Sequence, residues 1–446
     1  MKKNVLILLL LGLLAPFTGL LAQDNPTSLS LTVQQAVDLA LEKNRSVASA
    51  RYNYDLAKKT VWETIASGLP QVNGSGSLDD NLKLMTTMLP AEIFGGPAGT
   101  YIPVTFGQKY NSSYGVTAAS PLFNAPYLVG IQISKLASKI SENQVKQSEA
   151  DVKESVMTCY YLLLVSEETL KVLDGNLKNM NEMLTSTKAM YSVGMAESTD
   201  VDQMLSNVAT VNNAKLSMER TVEVNYNLLR FLLGVDISTK IALTDSLDSV
   251  ISSFKVEELL GQDFKMENNL NYQLIDGQVR MSELSLKSAK SSILPTLSGS
   301  IYYMKTGQGN KLSNMGWFPY SVAGLQLSVP IFAFGERHSK IQKARISLMN
   351  SENQKNMVSD NLLMQEKQLR YNLISSNEQY RNQKDNIEIA QRVLTSFQNK
   401  YKQGMASSLD LTSANSNYLT AQTNYLNSLM TLLQNKVAFD KLMNNF

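Results

Sequence analysis

The sequence predicts a mainly α-helical, internally duplicated protein with a β component, each half running helix, β-hairpin, long helix, helix. Three observations predict it. Short landmarks recur in the same order in both halves. Sustained heptads follow the second landmark in each. Between the first and second landmarks the apolar period falls to two.

The landmarks fix the duplication. Ser67-Gly68-Leu69-Pro70-Gln71-Val72 is matched by Ser292-Ile293-Leu294-Pro295-Thr296-Leu297, an offset of 225. Ser120-Pro121-Leu122-Phe123 is matched by Val329-Pro330-Ile331-Phe332, an offset of 209. Tyr191-Ser192-Val193-Gly194-Met195-Ala196 is matched by Tyr401-Lys402-Gln403-Gly404-Met405-Ala406, an offset of 210. The first copy (23–235) therefore carries 16 extra residues between its first two landmarks, in the Gly/Pro-rich stretch 90–103. The second copy, 236–446, opens with a connector.

Each element has a local cause. A helix over 32–67 starts at a capping box, Thr32 with Gln35, ahead of Ala36, Val37 and Leu39. Its counterpart is expected to begin near Val256. Strands are expected over 71–80 and 109–120, around an irregular outward-facing loop at 82–106. Their counterparts are 296–305 and 320–329, and the two strand regions as a whole cover about 70–122 and 295–331. Leu163, Leu170, Leu177, Leu184 and Tyr191 stand seven apart, as do Leu373, Tyr380, Ile387, Leu394 and Tyr401. Such a seam is coiled-coil packing, and about 65 residues at 1.5 Å each make a helix about 100 Å long. Turns at Gly194 and Gly404 then lead into helices over 200–233 and 410–443.

Composition narrows the function. The 446 residues hold 41 basic and 39 acidic side chains, one His and one Cys. A single Cys makes no internal disulfide, and with one His it builds no zinc site. There is no basic surplus for nucleic acid, and nothing asks for a cofactor or metal. Residues 1–22 read as a signal peptide: Lys2 and Lys3, an apolar core from Val5 to Leu14, and a cleavage site at Leu20-Leu21-Ala22. The rest has no apolar run near the about 20 residues of a membrane helix. An exported chain of this kind is either soluble or a β-barrel. Four strands cannot close a barrel, so the barrel reading requires several chains.

Taken together, these features resemble the TolC family of outer-membrane efflux channels. The resemblance rests on Leu31-Thr32, Ala36, the run from Leu39 to Asn44, Leu69-Pro70 and Leu294-Pro295. It extends through the run from Pro330 to Arg337, Tyr401-Lys402-Gln403-Gly404 and Asp410-Leu411. Asn124-Ala125 departs from the family's acidic or Gly turn, and Met190 stands where the second copy has Lys400. The resemblance implies a homotrimer with a twelve-stranded β-barrel in outer-membrane lipid, continued by a coiled-coil α-barrel through the periplasm. It implies a passive exit duct for multidrug efflux or type I secretion, joined through a periplasmic membrane-fusion adaptor to an inner-membrane RND or ABC pump. Val193, Gly194, Met195, Gln403, Gly404 and Met405 become adaptor-docking tips. Asp410 becomes part of an acidic pore ring that Ser413, in place of a second acid, weakens. Tyr401 becomes a latch hydrogen-bonded to Asp200. Tyr110, Tyr114, Tyr302, Tyr303, Trp317, Phe318 and Tyr320 become an interfacial aromatic girdle.

Bland alternatives stand beside these. The glycines are helix-hairpin caps on their own account. Asp200 and Asp410 are acids at helix N-termini. Gly307-Gln308-Gly309 lacks the third glycine of a phosphate loop. His338 reads as solvated, Cys159 as buried and inert, and Phe446 ends a helix. The competing function is an exported coiled-coil stalk or binding protein that transports nothing. A hydrolase lacks clustered carboxylates, so no enzyme is expected.

Overall fold

A computed structural model describes residues 28–252 and 254–446; the expected signal peptide, 1–22, lies outside the described residues. The first copy supplies β1 (Ser28–Leu31), α1 (Val33–Lys43), α2 (Arg45–Ala66), β2 (Gln71–Asp80), β3 (Met85–Pro90), β4 (Tyr101–Phe106) and β5 (Tyr110–Phe123). Then come α3 (Ala125–Ser192) and α4 (Ser198–Leu233). A connector holds β6 (Lys240–Leu243), α5 (Leu247–Ser252) and α6 (Val256–Leu260). The second copy continues with α7 (Leu270–Ser291), β7 (Thr296–Gly309), β8 (Gly316–Ser328), α8 (Glu336–Lys402) and α9 (Ser408–Met443). No described helix is long and apolar enough to cross a membrane.

The chain divides into two compact units, each drawing on both copies. Among the described residues, one holds 28–44, 155–252, 254–255 and Asn382–Met430; the other holds Arg45–Glu154, Val256–Arg381 and Thr431–Phe446.

In the first unit, Thr32 caps α1 as its sequence requires. Its hydroxyl accepts from the Gln35 N–H at 3.3 Å, and the Gln35 side chain accepts from the Thr32 N–H at 2.9 Å. The helix does not run on to residue 67. It stops at Asn44, where ψ of 130° turns the chain. Asn44 is buried and its Nδ2 donates to the Leu232 carbonyl at 2.7 Å, satisfying an orphan acceptor at the end of α4. Gly234 then closes α4 at φ 67°, and a Cβ there would meet the Lys43 carbonyl oxygen at 2.4 Å. β1 pairs in parallel with β6, a pairing no local pattern announced. Tyr160 on α3 fastens it by donating to the Leu31 carbonyl at 2.8 Å. Cys159 beside it is buried, and desolvation pushes its thiol up to about 11, well above the range of a reactive cysteine.

The second unit repeats the asparagine device. The expected helix at Val256 is only five residues long, and the long one starts at Leu270. Asn269 caps it through Oδ1, accepting from the Asn271 and Tyr272 N–H groups at 3.0 and 3.3 Å. Its Nδ2 donates to the Leu442 carbonyl at 3.0 Å. Asn269 stands 225 residues after Asn44, and Leu442 stands 210 after Leu232. Asn444, the counterpart of Gly234, likewise takes φ of 58°, which asparagine tolerates.

The same unit holds a four-stranded antiparallel sheet in the order β2-β5-β7-β8, so the hairpins of the two copies meet at β5 and β7. Both outer strands are exposed along their whole length. His338 lies exposed on α8.

The insertion at 82–106 is not irregular. β3 and β4 form a hairpin in register from Met85↔Phe106 to Pro90↔Tyr101. Thr86, Thr87, Ile102, Val104 and Thr105 supply β-forming side chains, while Gly95 and Gly99 take positive φ in the turn. An isolated two-stranded hairpin is marginal at best, so the fold does not depend on it. Asn81 closes its base, donating from its backbone N–H to the Lys109 carbonyl at 2.7 Å and from Nδ2 to the Gln108 carbonyl at 2.8 Å. Excising 85–106 and joining the ends with a short turn is expected to leave the unfolding midpoint close to that of the parent. Denaturant unfolding followed by circular dichroism checks this; loss of folding would make the hairpin structural.

Candidate functional site: paired helix tips and a two-faced sheet

The two helix turns are built alike. At the first, Gly194 has φ of 76°, its N–H donates to the Tyr191 carbonyl at 3.0 Å, and the Met195 N–H reaches Met190 at 2.9 Å. At the second, Gly404 has φ of 70°, its N–H donates to Tyr401 at 3.0 Å, and the Met405 N–H reaches Lys400 at 2.8 Å. This Schellman pattern needs one left-handed residue, which glycine adopts without strain. Val193, Met195, Gln403 and Met405 are exposed around it.

Each turn runs into a capped helix. The Asp200 carboxylate accepts from the Glu197 N–H at 3.0 Å. Asp410 accepts from the Ser407 N–H at 3.1 Å and from its hydroxyl at 2.7 Å, while the Asp410 N–H returns a bond to Ser407 Oγ at 3.1 Å. The Ser407 hydroxyl, then its N–H, lowers the Asp410 pKa from its ordinary value. Asp200 is lowered first by the Ser408 hydroxyl of the other tip, then by the Glu197 N–H. The Ser408–Asp200 bond thus links the two tips. Asn207 Nδ2 adds a second link to Thr412 Oγ1 at 3.1 Å. Ser413 is exposed beside Asp410.

Tyr401 does not bond Asp200. Its ring is buried at 7% exposure in a core with Leu184, Met204, Leu394, Leu411 and Ala414, and its hydroxyl meets Thr187 Oγ1 at 2.8 Å. Thr187 itself donates to the Met183 carbonyl at 3.0 Å, so Tyr401 is the donor. The reason is orientation: the heptad seam carries Tyr401 into the core, while Asp200 is taken up by its own cap. Tyr401→Phe leaves Thr187 bonded and is expected to cost about 1 kcal/mol, whereas Thr187→Val strands a buried hydroxyl and costs about 1–3 kcal/mol. Denaturant titration of both variants checks the order. Sequence reasoning missed Thr187 and Ser408, which no motif marks; Ser407-x-x-Asp410 did carry a legible capping signal.

The sheet has two chemically different faces, read from its register. One is mainly apolar, with Val72, Leu78, Tyr114, Val116, Ala118, Ile301, Tyr303, Trp317, Ala323, Leu325 and Leu327, and also holds Asp80, Ser112, Lys305 and Ser321. The other is mainly polar, with Gln71, Asn73, Ser75, Ser77, Ser113, Thr117, Ser298, Ser300, Thr306 and Gln326, and also holds Met304 and Val322. The seven aromatics divide between them. Tyr110, Tyr114, Tyr303 and Trp317 lie on the apolar face, and Tyr302, Phe318 and Tyr320 on the polar one. Tyr114 packs on Trp317 at 5.2 Å and Tyr302 on Tyr320 at 5.8 Å, one pair on each face.

Comparison with known proteins agrees with this architecture. The family described as outer membrane efflux protein matches residues 36–235 and 269–445. The toluene efflux pump outer membrane protein TtgC of Pseudomonas putida is 22% identical over 427 residues, covering 92% of this chain and 82% of the relative. Among solved structures, the outer membrane protein VceC of Vibrio cholerae superposes with a TM-score of 0.73 at 14% identity, covering 92% of this chain and 95% of that one. The open state of the Neisseria gonorrhoeae MtrE outer membrane channel gives 0.73 at 16% identity, covering 94% and 92%. The long helices α3, α4, α8 and α9, both tips and the four-stranded sheet fall within the matched residues. This chain belongs to the outer membrane efflux protein family, as a TolC-type channel protein of the outer membrane.

Proposed function

We propose that three copies close one twelve-stranded barrel and act as the passive exit duct of a tripartite efflux system. The observation that carries this is the sheet. It has an apolar face suited to lipid, a polar face suited to a water-filled lumen, and two unpaired edges that cannot persist in a bilayer. Joining β8 of one copy to β2 of the next removes every edge.

The tips support the same ring. Tyr401 is buried, yet its counterpart Tyr191 is 50% exposed. Repeats that follow one another around a closed ring would cover Tyr191 with a helix of the neighbouring copy, a head-to-tail interface that closes on itself. An exported stalk has no use for the two-faced sheet. In this reading the exposed Val193, Gly194, Met195, Gln403, Gly404 and Met405 dock a periplasmic adaptor fed by an inner-membrane RND or ABC pump. Asp410 and Asp200, with Ser413, line the narrow mouth, and Ser408–Asp200 is the latch. The relative named for toluene efflux supports small molecules as cargo. Mass measurement in mild detergent tests the ring: a species of three chains is expected, and a stable folded monomer would overturn it.

A further inference from the structure

The elbow between β8 and α8 is the most exposed apolar feature of the second unit, and nothing in the channel function uses it. Ile331 is 91% exposed, Phe332 72% and Phe334 93%, with Val329 also exposed. Phe334 takes φ of 41° and Gly335 takes 83°, so two successive left-handed residues fold the chain back. Phenylalanine is rarely found there, because its Cβ crowds the carbonyl. The result is a paired aromatic knob: the Phe332 and Phe334 rings sit 4.6 Å apart at 62°.

Charge follows at once. The first turns of α8 carry Arg337, Lys340, Lys343 and Arg345 against the single acid Glu336, which is held by Lys340 at 2.7 Å. Lys340, Lys343 and Arg345 are exposed. At 1.5 Å per residue these four span only about 12 Å of helix, comparable with a headgroup layer and the reach of snorkelling side chains. The first copy has no such device. β5 ends at Phe123, α3 begins at Ala125, Asn124 caps it by accepting from the Tyr127 N–H at 3.1 Å, and no basic residue follows before Lys135.

We propose that this elbow is a lipid clamp. Ile331, Phe332 and Phe334 insert into the membrane leaflet at the helical end of the barrel, and Arg337, Lys340, Lys343 and Arg345 bind its anionic phospholipid headgroups. The inference rests on the barrel reading, because the elbow begins one residue past the last strand residue, Ser328. Charge complementarity selects an anionic lipid surface over a second copy of the chain, whose apolar sheet face carries one acid, Asp80, offset by Lys305.

The test is nitroxide accessibility in bilayers containing phosphatidylglycerol and phosphatidylcholine. The full chain carries the label at Ile331→Cys in a Cys159→Ser background, with Leu325→Cys on the apolar sheet face as reference. High access to oxygen with low access to a water-soluble nickel chelate at Ile331 is expected. High nickel access there means water, and low access to both means cover by protein; either overturns the clamp. If Leu325 also fails to report lipid, the barrel reading itself falls, whereas a lipid signal at Leu325 alone rejects only the clamp. The headgroup half is read by competition of spin-labelled phosphatidylglycerol with phosphatidylcholine. One Lys or Arg near an anionic surface is worth about fivefold, so Arg337→Gln with Lys340→Gln should cut the preference at least about fivefold. An unchanged preference would reject headgroup binding.

Discussion

Export is expected to stop in a Gly404→Val protein while its assembled form still reaches the outer membrane. Gly404 sits at φ of 70° with nothing within 4 Å of a built Cβ, so the obstacle is backbone conformation and not a clash. A left-handed L-residue costs roughly 1–2 kcal/mol, and a β-branched one tolerates it least. Valine therefore drives the turn into another conformation. That breaks the Met405–Lys400 bond and moves Gln403 and Met405, the exposed residues on either side. Gly404→Asn, which tolerates the left-handed region, is expected to keep most export. The sheet lies in the other compact unit and should assemble normally. Cell fractionation with a drug-accumulation assay separates the two effects. Normal export from Gly404→Val would show that the turn is not a docking tip.

Much of this geometry is legible in the sequence wherever the cause is local. The Thr32 capping box, the Schellman glycines and the strand periodicity each act over a few residues, and each appears in the structure where its residues stand. What is not legible arises between distant segments. Asn44 ends α1 because its side chain is needed 188 residues away at Leu232, and the parallel pairing of β1 with β6 leaves no period to read. Asn269 could have been found from Asn44 by the repeat offset, since both tie a helix start to a helix end. The tip contacts were hidden for another reason. Asp200 can accept from several hydroxyls on a neighbouring turn, and only packing decides that Ser408 meets it while Tyr401 turns inward to Thr187. The heptad seam is likewise idealised: it buries Leu184, Leu394 and Tyr401 but leaves Tyr191 half exposed in the single chain.

A charge on alternate residues of β8 is expected to give opposite outcomes. Leu325 pairs with Gly299 on the apolar face, whereas Gln326 pairs with Ser298 on the polar face, and both are exposed in the single chain. Solvent exposure alone therefore predicts that Leu325→Arg and Gln326→Arg are equally harmless. The barrel reading predicts otherwise. Arginine facing lipid near the midplane costs about 2–4 kcal/mol, falling to about 0–1 kcal/mol near the interface, while a lumen-facing arginine stays hydrated. In the proposed three-chain barrel, the penalty at Leu325 is incurred three times per assembly. Leu325→Arg should sharply reduce the assembled species in outer-membrane fractions, and Gln326→Arg should leave its amount unchanged while altering the ion selectivity of the lumen. Semi-native electrophoresis of membrane extracts measures the first effect, and conductance of purified protein in planar bilayers the second. Equal tolerance of both substitutions would mean that the apolar face meets water, and the reading of β2, β5, β7 and β8 as barrel strands would have to be abandoned. The reverse pattern, with Gln326→Arg the damaging change, would keep the barrel but turn its faces inside out.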